Sequence, residues 1–479
     1  MMRDYSDYDA TGLARLVAKR LVTAGELLDA ALDRVERHNP ALNAVVQIQE
    51  GAARRLIAEG LPEGPFKGVP FLLKDLAIEA QDFPSNYGSR LMENTRQKGD
   101  STLYTRLKAA GLVTFGRTTS PEGGIGAVTE ASVYGGPTRN PWNLAHTPGG
   151  SSGGAGAAVA AGILPAAHGS DGGGSVRIPA SSSGLFGFKP TRGLLPAGPY
   201  RGEGWAGMAI DGFLTRSVRD TAALLDATMG ADSGTPYHAP PLREGFTAAL
   251  HRAPRPLKIA LCDTSFTGTA IHPECKAAVH AAAKLLQSMG HRIEEARPEA
   301  DTEGMMAAWT KIVACGTAAA VRRALVLKGR ALQESDLENV SQSALRYAKT
   351  ITGADYVEAL AKIHAYGREL AAFFDGYDIL LTPTLAEPPA KIGRFDHTRA
   401  DYVDYRTGPD GIFAYSPFTA AFNASGQPAM SVPLAMSSNG LPIGIHFAAA
   451  QGQDELLMSL AADLERAAPW FHRHPPHFS

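Results

Sequence analysis

Between Thr147 and Arg192 the chain reads TPGGSSGGAGAAVAAGILPAAHGSDGGGSVRIPASSSGLFGFKPTR, and no other stretch restricts the possible folds so strongly. It holds two clusters of small residues, Gly149-Gly150-Ser151-Ser152-Gly153-Gly154 and Gly169-Ser170-Asp171-Gly172-Gly173-Gly174-Ser175. Glycine lets the main chain take angles closed to other residues and approach a ligand closely. Between the clusters, Ala155 to Ala161 is long enough for a short helix, and Gly162 stands where such a helix stops. A flexible Gly/Ser linker would not interleave Ala-Ala-Val-Ala-Ala and Ile-Leu-Pro-Ala-Ala, nor place Asp171 and Arg177 beside its second cluster. A phosphate-binding P-loop needs Lys followed by Ser or Thr after its last glycine, which is missing here. A dinucleotide fingerprint could be forced onto Gly154-Ala155-Gly156, but Asn143 to Pro148 does not read as the strand it requires.

These residues resemble the signature of the amidase signature family of serine hydrolases. The first cluster matches the family's GGSSGG element, and Gly169 to Arg177 matches G-T-D-x-G-G-S-[IV]-R, with Ser170 in place of Thr and Gly172 where Thr is frequent. The likeness runs from about Gly25 to Trp470. It implies an α/β fold built on one large mixed, mostly parallel twisted β-sheet covered by helices on both sides, with residues 1–479 forming a single domain. It also implies hydrolysis of a C–N bond in a small linear or cyclic amide, with no cofactor and no metal. Arg139-Asn140-Pro141-Trp142-Asn143-Leu144, Ser217-Val218-Arg219-Asp220 and Phe422 to Pro428 point within the family toward hydrolases of nylon-type cyclic oligomers, aryl amides and carbamates.

Amide hydrolysis needs a nucleophile, a base and donors for the developing oxyanion. Ser175 follows three glycines and opens a predicted helix, Ser175 to Ser183, so it is the candidate nucleophile, with the N–H groups of Gly172, Gly173, Gly174 and Ser175 as candidate oxyanion donors. From residue types alone the nearby base is His168. The resemblance instead assigns the base to Lys74, acting through Ser151, with a cis peptide at Gly150-Ser151. Lys74 ends an apolar run, Phe66 to Asp75, and could serve only if burial disfavoured its ammonium form. The resemblance also implies that Asp171 and Arg177 form a buried charge pair shaping the loop, and that Ser152 supports it by a hydrogen bond.

Two other readings fit parts of the pattern. Gly149-x-Ser151-x-Gly153 matches the nucleophile elbow of α/β hydrolases, which would make Ser151 the nucleophile of an esterase. The amidase-like subunit of the tRNA-dependent amidotransferase releases ammonia from glutamine with the same triad, but only within a complex.

The remaining chain supports a soluble enzyme acting on a small molecule. Hydrophobic residues make up 44% and the formal net charge is −2, which gives a large core and no basic surface for nucleic acid. No run approaches the eighteen or so apolar residues of a membrane span, and MMRDYSDYDATGL has no apolar segment of a secretory signal. Cys262, Cys275 and Cys315 are too scattered for a disulfide framework or a zinc site, which fits the cytoplasm. His472, His474 and His477 read as a frayed terminus rather than a metal cluster. Helices are expected after Thr23, stopping at Asn39-Pro40, and after Ser101, Ser217 and His272, alternating with short apolar strands. The Pro-rich run 236–256 reads as a surface excursion. Residues 301–374 are almost wholly helical and suit a cap over the site. Tyr134, Trp205, Trp309, Cys315 and Phe413 are candidate pocket residues, and a homodimer is the association left open.

Overall fold

Most strands here are short apolar runs of four to eight residues on which nearly every side chain is buried, the edge strand Arg292–Glu295 being charged and not buried. The computed structural model describes residues 2, 4–252 and 255–478. Its strands are β1 (Val45–Val46), β2 (Pro70–Lys74), β3 (Val113–Thr118), β4 (Ala166–Asp171), β5 (Phe186–Lys189), β6 (Ile210–Thr215), β7 (Lys258–Leu261), β8 (Arg292–Glu295), β9 (Ile379–Pro383), β10 (Ala429–Met436) and β11 (Pro442–Ala449). They form one eleven-stranded sheet in the order β1-β3-β2-β4-β6-β5-β10-β11-β9-β7-β8.

The sheet is mixed, but it is not mostly parallel. Only β2 with β3 and β4, and β7 with β8 and β9, run parallel, whereas β1–β3, β4–β6, β5–β6, β5–β10, β10–β11 and β9–β11 are antiparallel. Helix–strand alternation implies crossover helices and therefore parallel pairs. In the middle of the sheet that inference fails, because β10 and β11 form a hairpin closed through Gly440 and β6 pairs antiparallel with both β4 and β5.

Most expected helices form. Thr23 and Glu26 make a reciprocal capping box for Ala24–Leu42. That helix does not stop at Asn39-Pro40 but runs through Pro40 to Leu42. Proline in the last turn forfeits one backbone bond, and the Asn39 side chain offsets it by accepting from Ala44 N and Val45 N, each at 2.8 Å. Ser101 and Ser217 cap Thr102–Ala109 and Val218–Thr228 as their sequences predict.

The segment 301–374 contains helices Thr302–Lys328, Asn339–Ala348 and Gly353–Phe373. The first is long and apolar enough, by length and composition, to cross a bilayer, with mean hydropathy 1.3 over its best window, so the expectation that no such run exists is corrected. Its apolar side packs inward through Met305, Met306, Trp309, Ile312 and Val313. The C-terminus is docked rather than frayed. Trp470 Nε1 donates to Arg216 O at 2.9 Å, Arg34 Nη2 donates to Phe478 O at 3.1 Å, and His474 Nε2 lies 3.1 Å from Arg216 Nη2. No group of three His, Cys, Asp or Glu side chains is placed to hold a metal among the described residues. Within the Pro-rich run, Phe246 and Ala249 are buried in the core, and Pro254 lies outside the described residues.

Candidate active site

β2 and β4 are parallel neighbours in register at Leu72 and Ala167, so their C-terminal ends, Lys74 and Asp171, open at the same edge of the sheet. Both signature clusters converge there. Ser151 precedes the helix Gly153–Ala160, and Ser175 follows the three glycines after β4. A Cβ on Gly150 would lie 2.5 Å from Val128 O. Gly174 has φ +127, and a Cβ there would meet Thr419 Oγ1 at 2.4 Å. A side chain at Gly150 would push the Ser151 loop off Val128, and one at Gly174 would push the Ser175 loop off Thr419. The Gly150-Ser151 peptide is cis, as the resemblance implies.

Lys74 is wholly buried, and its Nζ lies 2.7 Å from Ser151 Oγ, 3.0 Å from Ser170 Oγ and 3.4 Å from Ser170 O. Burial pushes its amine down to about 7, against the opposing pull of the Asp211 and Asp171 carboxylates. His168 is not placed to act as a base. Its Nδ1 accepts from the Lys74 backbone N–H at 3.2 Å, so the ring proton sits on Nε2, 3.1 Å from Asp211 Oδ1. Burial lowers the imidazole's pKa and keeps the ring neutral. Asp211 is held in turn by Arg201 Nη2 at 3.2 Å.

Asp171 and Arg177 form the expected buried pair. Arg177 donates from Nε to Asp171 Oδ2 at 3.0 Å and from Nη2 to Oδ1 at 2.9 Å. Burial alone would raise the Asp171 carboxyl, but the Arg177 guanidinium outweighs it and holds the group far below the usual carboxylate range. Two residues outside the signature complete the network. Arg177 Nη1 lies 3.0 Å from His446 Nε2, and Asn423 accepts from Arg177 Nη2 at 2.7 Å while donating to Asp171 Oδ1 at 2.9 Å. Ser152 supports the loop, with its Oγ 3.2 Å from Ser170 N and 3.3 Å from Ser170 O.

The candidate oxyanion donors need one correction. Gly174 N–H donates to Asp171 Oδ1 at 2.8 Å, so it is committed to shaping the loop. The N–H groups of Gly172, Gly173 and Ser175 meet no protein acceptor among the described residues. Their directions are fixed from behind, because in a trans peptide C=O and N–H point oppositely. Asp171 O accepts from Asn423 Nδ2 at 2.9 Å, Gly172 O from Trp309 Nε1 at 3.2 Å, and Gly174 O from Ile178 N at 2.7 Å. Three anchored carbonyls therefore aim the N–H groups of Gly172, Gly173 and Ser175. The helix begins at Arg177 rather than Ser175, because Asp171 also takes the Val176 N–H (3.1 Å) and holds the intervening backbone in a turn. No hydrogen bond joins the Ser151 and Ser175 hydroxyls among the described residues; the two serine segments are joined instead by Ser152 N–H donating to Ser175 O at 3.2 Å.

Of the pocket candidates, Trp205, Trp309 and Phe413 come together. Trp309 stands edge-on to Trp205 at 5.6 Å and to Phe413 at 5.1 Å between ring centres. Both tryptophans back the glycine loop, since a Cβ on Gly172 would meet Trp205 at 2.6 Å and one on Gly173 would meet Trp309 at 3.1 Å. Cys315 lies half-buried on the Trp309 helix, its thiol pushed up by burial. Tyr134 stands apart, donating to Asp75 Oδ2 at 2.6 Å and accepting from Gly88 N at 3.1 Å. It braces the residue after Lys74 instead of joining the aromatic wall. Sequence reasoning missed Thr419, His446 and Asp211, which lie far away in the chain and carry no motif. Asn423 fell inside the stretch Phe422 to Pro428, but nothing in that stretch indicated its role.

The elbow arrangement is absent. No strand precedes Gly149, and the Ser151 hydroxyl is engaged by the Lys74 amine rather than by a histidine.

The chain is similar to known proteins over nearly its whole length. The family model described as Amidase matches residues 26–458. A 6-aminohexanoate-cyclic-dimer hydrolase of Paenarthrobacter ureafaciens is 38% identical over 476 residues, covering 98% of this chain and 96% of that protein. The solved structure of a 6-aminohexanoate cyclic dimer hydrolase complexed with substrate superposes with a TM-score of 0.94 at 37% identity, covering 99% of this chain and 100% of that one. A bacterial aryl acylamidase of the amidase signature family superposes with a TM-score of 0.87 at 28% identity, covering 97% of each chain.

Proposed function

The chain belongs to the amidase signature family of hydrolases, and we propose that it cleaves the C–N bond of a small linear or cyclic amide through an acyl-enzyme on Ser175, with Lys74 as base and Ser151 as relay. The observation that carries this reading is the wholly buried Lys74 amine held against Ser151 Oγ, beside a loop that leaves the N–H groups of Gly172, Gly173 and Ser175 unengaged. An ammonium at Lys74 would donate to all three of its neighbours. A neutral amine keeps two protons for Ser170 Oγ and Ser170 O, and its lone pair is left for the Ser151 hydroxyl. Ser151 then takes the Ser175 proton as Ser175 Oγ attacks the carbonyl carbon. The tetrahedral oxygen is received by the three free N–H groups, each worth on the order of 10²- to 10³-fold in turnover. The proton returns along the same relay to the departing amine, and water attacks the acyl-enzyme by the reverse path.

Trp205 and Trp309 form a wall beside this loop, and the helices of 301–374, with the Gly202–Gly207 segment, cap it and select the substrate. The names of the relatives favour cyclic 6-aminohexanoate dimers and aryl amides as substrates. Three unpaired cysteines suit a reducing cytoplasm.

A panel of 6-aminohexanoate cyclic dimer, an anilide, an aryl carbamate and glutamine tests the reading. Amine release is expected from the first two without companion chains and after prolonged chelation. Ammonia release from glutamine alone, and only with added subunits, would overturn it.

The carboxylate behind His168 supplies a pH test. Asp211 pulls the Lys74 amine upward, opposing desolvation. Asp211→Asn should therefore lower that pKa further and move the acid limb of kcat/KM to lower pH. An acid limb that stays put or moves upward would show that Asp211 does not act on Lys74.

A further inference from the structure

Across the neighbouring strands β2, β4 and β6, one face of the sheet carries the Lys74 amine and its supports. Asp211 lies directly opposite Ser170 in the antiparallel β4–β6 ladder, so the two side chains share that face. Ser170 Oγ is 3.0 Å from the Lys74 amine, and His168, two residues back on the same face, holds Asp211 Oδ1 at 3.1 Å. The Asp211 carboxylate is thus one side chain removed from the amine.

Its other oxygen is taken by Arg201, whose Nη2 donates to Asp211 Oδ2 at 3.2 Å. This is the one hydrogen bond of the Arg201 side chain among the described residues, and its Nε is buried without an acceptor. Only 7% of the Asp211 side chain is exposed, against 28% for Arg201. An ion pair between two exposed side chains counts for little, but a carboxylate in the low-dielectric interior feels its guanidinium strongly. Burial pushes the Asp211 carboxyl up; the His168 N–H and the Arg201 guanidinium outweigh it and keep the group below the usual carboxylate value.

Arg201 is delivered by a segment tied at both ends. Gly198 N donates to Asp232 Oδ2 at 2.6 Å, Gly198 O accepts from Thr102 N at 2.9 Å, and Gly207 O accepts from Arg192 Nε at 2.6 Å. The same segment carries Trp205, which packs on Gly172. Other charged or titratable groups face this cluster. Glu79 and Tyr87 feel the Arg201 charge, Arg117 donates to Lys74 O at 2.9 Å with Asp75 beside it, and Asp171 is neutralised by Arg177. None of these hydrogen-bonds to Asp211 among the described residues.

We propose that Arg201 is a positioning residue for the base: by sharing the Asp211 carboxylate with His168, it limits how strongly that carboxylate holds a proton on Lys74. The inference rests on the reading of Lys74 as base. Without the guanidinium, Asp211 presents more of its negative charge to the amine, which favours the ammonium form.

The test follows kcat/KM for an anilide across pH in wild type, Arg201→Gln, Arg201→Lys, Asp211→Asn and the double variant Arg201→Gln/Asp211→Asn. Arg201→Gln should move the acid limb up by about one pH unit, a loss of about tenfold well below the limb that shrinks above it. Arg201→Lys should restore the limb at least in part. In the Asp211→Asn background, the change at Arg201 should move the limb by less than about half as much. A limb that stays in place or moves down, a loss of equal size at every pH, or the same shift with and without Asp211 would overturn the proposal. If no amide is cleaved, or if Lys74→Ala keeps the wild-type pH profile, the reading of Lys74 as base fails separately. The amine is then titrated directly, by NMR of protein labelled at the lysine ε-carbon, with Lys74→Ala identifying its signal. An upward shift in Arg201→Gln supports the role of Arg201, and an unmoved signal refutes it.

Discussion

Lys74→Ala is expected to reduce turnover by about 10⁴-fold or more and to abolish the acid limb of the pH–rate profile with it. Free lysine titrates near 10.4 and is almost entirely protonated at pH 7. In this fold, burial brings the Lys74 amine down to about 7. If Lys74 is the base, as proposed, only its neutral amine can work, so turnover should rise with pH through about 7 and level off above it. Below that value the ammonium spends all three protons on Ser151 Oγ and Ser170, and no lone pair remains to take one. Lys74→Arg should do no better, since guanidinium stays protonated in proteins. Circular dichroism should report an intact fold in both variants. Near-full turnover in Lys74→Ala with an unchanged acid limb would remove Lys74 from the mechanism, and the neutral, Asp211-bound His168 could not readily take its place.

Ser175→Ala is the second large effect. With Ser175 as the proposed nucleophile, loss of its Oγ should prevent the acyl-enzyme, and the residual rate should fall to what the N–H groups and binding alone supply, a loss of about 10⁴- to 10⁶-fold. Intact-protein mass spectrometry after a fluorophosphonate should place one adduct on wild type, mapped to Ser175, and none on Ser175→Ala. Ser151→Ala should retain the adduct site but acquire it slowly, because water can replace the relay hydroxyl only in part. A label found on Ser151 would make that serine the nucleophile and overturn the assignment. The loop itself should survive both changes, since its shape rests on Asp171, Arg177 and Asn423 rather than on either hydroxyl.

Much of this was open to reading in one dimension, and the reason is local. The glycines at 149–150 and 172–174 are needed where backbone meets backbone or a neighbouring side chain, so their clustering announces a close-packed loop without reference to partners. Side-chain helix caps are equally local, as at Thr23, Ser101 and Ser217. Lys74 could be placed at the end of an apolar strand for the same reason. The direction of the central strands could not be read, because hairpin and crossover connections differ in where the chain goes next, not in the strand's own residues. Nor could the helix start be fixed at Arg177, because Asp171 decides it by taking N–H groups that a helix-first reading leaves free.

The sequence by itself determined the small-residue loops, the two serines, the lysine and the acid–base pair beside them. Tertiary structure decided which N–H groups are free, by committing Gly174 to Asp171 and anchoring three carbonyls from Trp309, Asn423 and Ile178. It placed Tyr134 on Asp75 rather than in the aromatic wall, and it set Arg201 against the Asp211 carboxylate behind His168. The division has one physical cause. Backbone permissiveness and capping are properties of a few adjacent residues, whereas hydrogen-bond partnership and desolvation depend on which distant segments the sheet brings to the same edge.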